Sequence, residues 1–101
     1  MITIEVKNKE KDYINYVKIK GHAGYAEEGF DIVCASVSSI AITTVNAIVR
    51  IDDKAIVYSE EDGFLEIGIL KNNEIINILI ENMLSMFKEL EKQYKNYIKI
   101  R

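Results

Sequence analysis

Proline and tryptophan are absent from the 101 residues, cysteine and histidine occur once each, and glycine occurs only five times. Each scarcity closes a possibility. A single cysteine cannot form an intramolecular disulfide, which excludes a disulfide-stapled fold, fits a reducing compartment and leaves a free thiol to be explained. One His and one Cys are too few ligands for a structural zinc site within one chain, so neither metal nor cofactor is expected. The glycines do not form a phosphate-cradling loop between a strand and a helix, which argues against nucleotide chemistry. Cations are also in deficit: 13 Lys and Arg against 16 Asp and Glu give a formal net charge of -3. That balance argues against direct nucleic-acid binding, which needs clustered basic side chains, and suits a basic polypeptide partner instead. The N-terminus has no basic stretch leading into an apolar run, and no apolar run reaches the roughly 18 residues of a membrane span. A soluble cytoplasmic chain without a leader and without a membrane partner is therefore expected.

What the sequence does contain is enough apolar surface for one core. At 49% hydrophobic and 29% charged residues, the chain fits a single domain over residues 1–101. Ile2, Ile4 and Val6 alternate with Thr3, Glu5 and Lys7, the period of a strand with one buried face. The polar residues 8–12 read as a turn, and residues 13–20, rich in aromatic and β-branched side chains, as a second strand pairing with the first. If Val17 and Ile19 face the core, the same period sets Gly21 on that face and His22 at the strand exit. Residues 23–30, with Gly24 and Gly29 and no period, read as a loop with two flexible joints that would serve as a lid.

From Asp31 the pattern changes. Val33, Val37, Ile40, Ala41, Thr44, Val45 and Ile48 recur at helical intervals, with Asp31 as N-cap and Cys34 in the first turn. Its β-branched content makes this helix intrinsically weak, so burial must hold it. Residues 54–59 and 64–70 read as strands joined by residues 60–63, where Asp62-Gly63 is a strong hairpin signal. Asn72 or Asn73 then caps a second helix with Ile76, Leu79, Ile80, Met83, Phe87, Leu90 and Tyr94 on one face. Met83 and Met86 beside Phe87 read as core or as subunit surface. Residues 96–101 alternate as a last strand. The fold class is thus α+β, in the order β-β-α-β-β-α-β, a mostly antiparallel sheet packed with two helices.

The chemistry converges on residues 21–38, which hold both the histidine and the cysteine. A thiol is a strong nucleophile at neutral pH only when its pKa is lowered, and a neighbouring imidazole does this by sharing the proton. A strand exit and a helix start joined by a returning loop bring such a pair together. Free amides and the positive helix end would stabilise a thiolate, and amides near Cys34 would hold the oxyanion formed at an attacked carbonyl. Cys34 is then the nucleophile and His22 the general base and later proton donor. Asp31, Gly21 and Ser38 are supporting candidates: Asp31 either only caps the helix, the commoner role, or also orients His22, and Ser38, one turn after Cys34 on the same face, either lines the site or is a small packing residue. Tyr25 and Phe30 either contact an aromatic substrate or seal the loop against the sheet. Glu27 and Glu28 would attract a basic partner, although paired acids on a loop are usually just solvated.

Gly21-His22-Ala23, followed by Gly29, Asp31-Ile32-Val33-Cys34-Ala35 and Val37-Ser38, resembles the ribosomal-processing cysteine protease Prp family over essentially the whole chain. The resemblance implies a small cytoplasmic homodimeric endopeptidase. It would remove the N-terminal extension of a large-subunit ribosomal protein, the twenty-seventh in the usual numbering. Cleavage would follow a Phe in a Phe-rich segment and precede a small residue, with catalysis by His22 and Cys34. Each half of the pair has a plainer reading, since a lone helical cysteine is usually a small buried hydrophobe and a lone strand-end histidine usually a surface residue. The alternative is therefore a non-enzymatic ribosome-assembly or protein-binding module of the same fold. A thiol redox switch would need a resolving thiol from another molecule.

Overall fold

The computed structural model describes residues 1–7, 13–27 and 31–101. The alternating N-terminal residues form β1 (Ile2–Lys7), which pairs antiparallel with β2 (Tyr16–Lys20) through Ile4↔Ile19 and Val6↔Val17. The turn expected at residues 8–12 lies outside the described residues. β2 begins later than its composition suggests, because Asn72 and Asn77 capture the backbone just before it. The Ile14 N–H donates to Asn77 Oδ1 (3.0 Å) and the Ile14 carbonyl accepts from Asn72 Nδ2 (2.9 Å), which takes Ile14 out of the ladder.

Helix α1 (Ile32–Ile51) buries Val33, Val37, Ala41, Thr44, Val45 and Ile48, the expected stripe, with Ile40 packed at its margin. One expectation fails here. At 20 residues and a mean hydropathy of 2.0 over its most apolar window, α1 is long and apolar enough to cross a membrane by length and composition. Its buried stripe nevertheless packs against the second helix, α2 (Glu74–Gln93), and the third strand, β3 (Ile56–Glu61), the position of a core helix. That packing is what holds a segment so rich in β-branched residues in helical form.

β3 (Ile56–Glu61) and β4 (Phe64–Ile69) form the second hairpin. The ladder runs as far as Glu61↔Phe64, so the turn is Asp62-Gly63 alone, with Gly63 at φ 71°. Glu60 and Glu61 belong to the strand rather than to a four-residue turn, since β3 is an edge strand where charged side chains remain solvated. At the other end, residues 54 and 55 leave the strand, as Lys54 and Ala55 donate back to Asp52. Helix α2 (Glu74–Gln93) is capped by Asn73, whose side chain accepts from the Ile76 N–H (2.9 Å). Its buried face holds Ile76, Ile80, Met83, Leu84 and Phe87, while Met86 points to solvent. The short β5 (Ile98–Ile100) closes the sheet by pairing parallel with β1.

The strand order is β3-β4-β2-β1-β5. Ile4, Val17, Ile67 and Ile98 point from the sheet into a core shared with Val33, Ile48, Ile80 and Phe87, all at most 1% exposed. Alternate residues face outward. There Glu5 lies within 4 Å of three cations, at 3.4 Å from Lys7, 3.4 Å from Lys18 and 3.7 Å from Arg101.

Candidate active site

Two chain reversals meet at one end of the sheet. β2 ends at Lys20, and Gly21 turns the chain at φ 101°, a conformation that disfavours any side chain. A Cβ there would also run into the carbonyl oxygen of Met1. Gly21 is fixed from both sides: its N–H donates to the Gly63 carbonyl (2.8 Å), and the Met1 amino group donates to the His22 carbonyl (2.6 Å). His22 therefore leaves the sheet on an anchored backbone with its imidazole largely in solvent.

On the other side, α1 starts at Asp31, which is buried. Its Oδ1 accepts from the N–H groups of Val33 (3.0 Å) and Cys34 (3.0 Å), and its Oδ2 from those of Tyr25 (3.0 Å) and Ala26 (3.4 Å). Burial alone would raise this carboxyl. The backbone donors of Cys34, Tyr25, Ala26 and Val33 together outweigh it and hold the group below the usual carboxylate range. Asp31 thus caps the helix and ties down the incoming loop. Both of its oxygens are engaged, so it does not orient His22.

Cys34 sits half-buried in the first turn of α1. The buried Ala23 presents its N–H to the Cys34 Sγ at 3.3 Å. This corrects the expected oxyanion site. The Val33 and Cys34 amides are committed to the Asp31 carboxylate and the Ala35 amide to the Asp31 carbonyl (3.0 Å). The donor that faces the sulfur comes from the residue after His22.

His22 and Cys34 line one groove of about 690 Å³, together with Gly21, Asp31, Ser38 and the β3–β4 hairpin. The groove thus gathers every supporting candidate. Among the described residues no hydrogen bond joins His22 to Cys34. The imidazole Nε2 instead lies 3.8 Å from Asp62 Oδ1. Sequence reasoning treated Asp62 only as a turn residue; the signal it missed is the β2–β4 pairing. Tyr25 packs edge-on against Tyr94 and Tyr97, with centroids 5.6 and 5.1 Å apart, so it seals the loop against the C-terminal end of the chain. Phe30 and Glu28 lie outside the described residues.

A half-buried thiol at a helix N-terminus, facing an N–H donor in a groove shared with the chain's one imidazole, suits nucleophilic attack on a carbonyl. The family model described as Cysteine protease Prp matches residues 1–99. The chain belongs to the cysteine protease Prp family. It is 29% identical to the ribosomal processing cysteine protease Prp of Staphylococcus aureus strain Mu50, covering 99% of this chain and 97% of that one. The Bacillus subtilis protease of the same name is 24% identical, over 99% and 96% of the two chains. The fold also matches a crystal structure of the S. aureus protease Prp in complex with a covalently linked product peptide. That match has a TM-score of 0.92 at 28% identity, covering 100% of this chain and 98% of the other. The fold expected from the sequence is thus the Prp fold, and the family is one of hydrolases that cut peptide bonds with a cysteine.

Proposed function

We propose that this chain is a cytoplasmic, homodimeric thiol endopeptidase that removes the N-terminal extension of the twenty-seventh large-subunit ribosomal protein, cutting after Phe in a Phe-rich segment. Cys34 is the nucleophile and His22 the base and acid. The observation that carries this reading is that the only cysteine and the only histidine line the same groove. It is supported by family membership and by the S. aureus relative's complex with a covalently linked product peptide. The acidic wall formed by Glu60, Glu61 and Asp62 suits a basic ribosomal polypeptide.

The reaction runs in two halves. His22 takes the Cys34 proton, and the thiolate attacks the scissile carbonyl carbon, forming a C–S bond and an oxyanion. The positive end of α1 and the Ala23 N–H, 3.3 Å from the Sγ, stabilise the negative charge as it develops on the sulfur and then on the oxyanion. On collapse the C–N bond breaks and His22 gives its proton to the departing amine. Water, deprotonated by His22, then attacks the thioester, and the C–S bond breaks to release the carboxylate and restore the thiol.

The test is mass analysis of a peptide with a Phe-Phe/Ala junction incubated with wild type, Cys34→Ala and His22→Ala. Cleavage after Phe by the wild type alone supports the reading. Cleavage that survives either substitution rejects the roles, and intact peptide with all three rejects the substrate assignment.

A further inference from the structure

The geometry points to Asp62 as a positioning residue for His22, an inference that rests on the Cys34–His22 reading above. Three observations place it there. β2 and β4 pair antiparallel with Lys20 opposite Phe64. Continued two residues beyond the ladder, that register sets Gly21 opposite Gly63 and His22 opposite Asp62, and the first of these steps is held by the Gly21 N–H to Gly63 carbonyl bond at 2.8 Å. Asp62 Oδ1 then lies 3.8 Å from His22 Nε2. Finally, a Cβ on Gly63 would sit 2.7 Å from the same nitrogen. The absence of a side chain at Gly63 is what lets the ring rest against the hairpin.

A carboxylate beside Nε2 favours the tautomer, or the imidazolium, that carries a proton on that atom. Nδ1 is then the nitrogen that exchanges a proton with the thiol. A ring held by a carboxylate at one nitrogen turns the other toward the thiol, which is how a third group supports a nucleophile–base pair. Asp31 cannot fill this place because four backbone N–H groups occupy its oxygens. Asp62 is solvent-exposed, so the effect is modest in size.

Asp62→Asn is the informative change, because Asn-Gly keeps the hairpin turn while the charge is lost. With the Phe-Phe/Ala peptide, Asp62→Asn is expected to lower kcat about threefold to tenfold with KM within about twofold. Asp62→Glu is expected to recover most of that loss, since it keeps the carboxylate. In parallel, ¹⁵N chemical shifts of the single histidine report its tautomer in the free enzyme. The share of neutral imidazole protonated on Nε2 is expected to fall in Asp62→Asn relative to wild type. An unchanged kcat overturns the proposal. A lowered kcat with an unchanged tautomer share also overturns it, assigning Asp62 to the turn alone. If the wild type fails to cut the peptide, the substrate assignment fails by itself, and the tautomer shares alone decide the role of Asp62.

Discussion

The N–H of Ala23 lies 3.3 Å from the Sγ of Cys34. One strand exit thus supplies both the imidazole, at residue 22, and the main-chain donor that faces the sulfur, at residue 23. The arrangement depends on two reversals being held together, the first by Gly21 against Gly63 and the second by Asp31 against Tyr25 and Ala26. Helix α1 contributes the thiol and the field of its positive end.

Replacing the sulfur tests this directly. Cys34→Ser keeps the size and the N–H contact but offers a hydroxyl that one imidazole activates poorly. Its kcat/KM is expected to fall by about 10⁴-fold or more. Because Cys34 is only half-buried, the melting curve is expected to move by no more than about 1 kcal/mol of stability. A large fall in both would mean that the residue is structural.

Asp31 couples stability to pH with a definite sign. Its folded carboxyl lies below its unfolded value of about 3.9. Its stabilisation is therefore fully present above the unfolded value and is lost as pH falls through the folded one. Asp31→Asn still caps α1 through its amide oxygen, but its NH₂ cannot accept from Tyr25 and Ala26. It is expected to cost about 1–2 kcal/mol at pH 7. Denaturant unfolding at pH 7 and near pH 3 should show the gap between wild type and variant narrowing in acid. A gap that stays constant would remove the charge from the account.

Gly63→Ala combines a left-handed backbone with a close approach. At φ 71° an alanine costs about 1–2 kcal/mol. Its methyl group would also displace the His22 ring, because the Cβ meets Nε2 at 2.7 Å. Activity is expected to fall further than global stability does, read as kcat/KM beside a thermal melt. Gly21→Ala is expected to be worse folded, since its methyl meets backbone rather than a movable ring.

Phe87 anchors the core beneath the site's helix, fully buried on α2. Phe87→Ala is expected to cost about 3–5 kcal/mol, measured by urea unfolding with an unchanged m-value. A loss under about 1 kcal/mol would mean that α2 is not holding α1 in place.

Much of this was legible in the chain itself. The alternation of Ile2, Ile4 and Val6, the stripe from Val33 to Ile48, the Asp31 cap and the Asp62-Gly63 turn are local signals, and local backbone physics obeyed them. What a linear reading lacks is which strands become neighbours. β2 lies between β1 and β4, and only that pairing sets His22 opposite Asp62. The same blindness left open whether Asp31 orients His22 or only caps the helix, since nothing local announces that Tyr25 and Ala26 donate to its second oxygen. It also offered the first-turn amides as an oxyanion site, although the cap itself had already taken them. Apolar content misled in a different way: α1 mixes Ser and Thr into a long apolar segment, so no unbroken run stands out although its mean hydropathy reaches 2.0.

The most direct test of the Cys34–His22 account is intact-protein mass spectrometry after rapid acid quenching of the enzyme mixed with the Phe-Phe/Ala peptide. The account requires a transient adduct with the mass of the acyl fragment ending in Phe. That adduct should map to Cys34, be absent in Cys34→Ala and form far more slowly in His22→Ala. Release of both peptide fragments with no adduct at any time, and undiminished in Cys34→Ala, would contradict it.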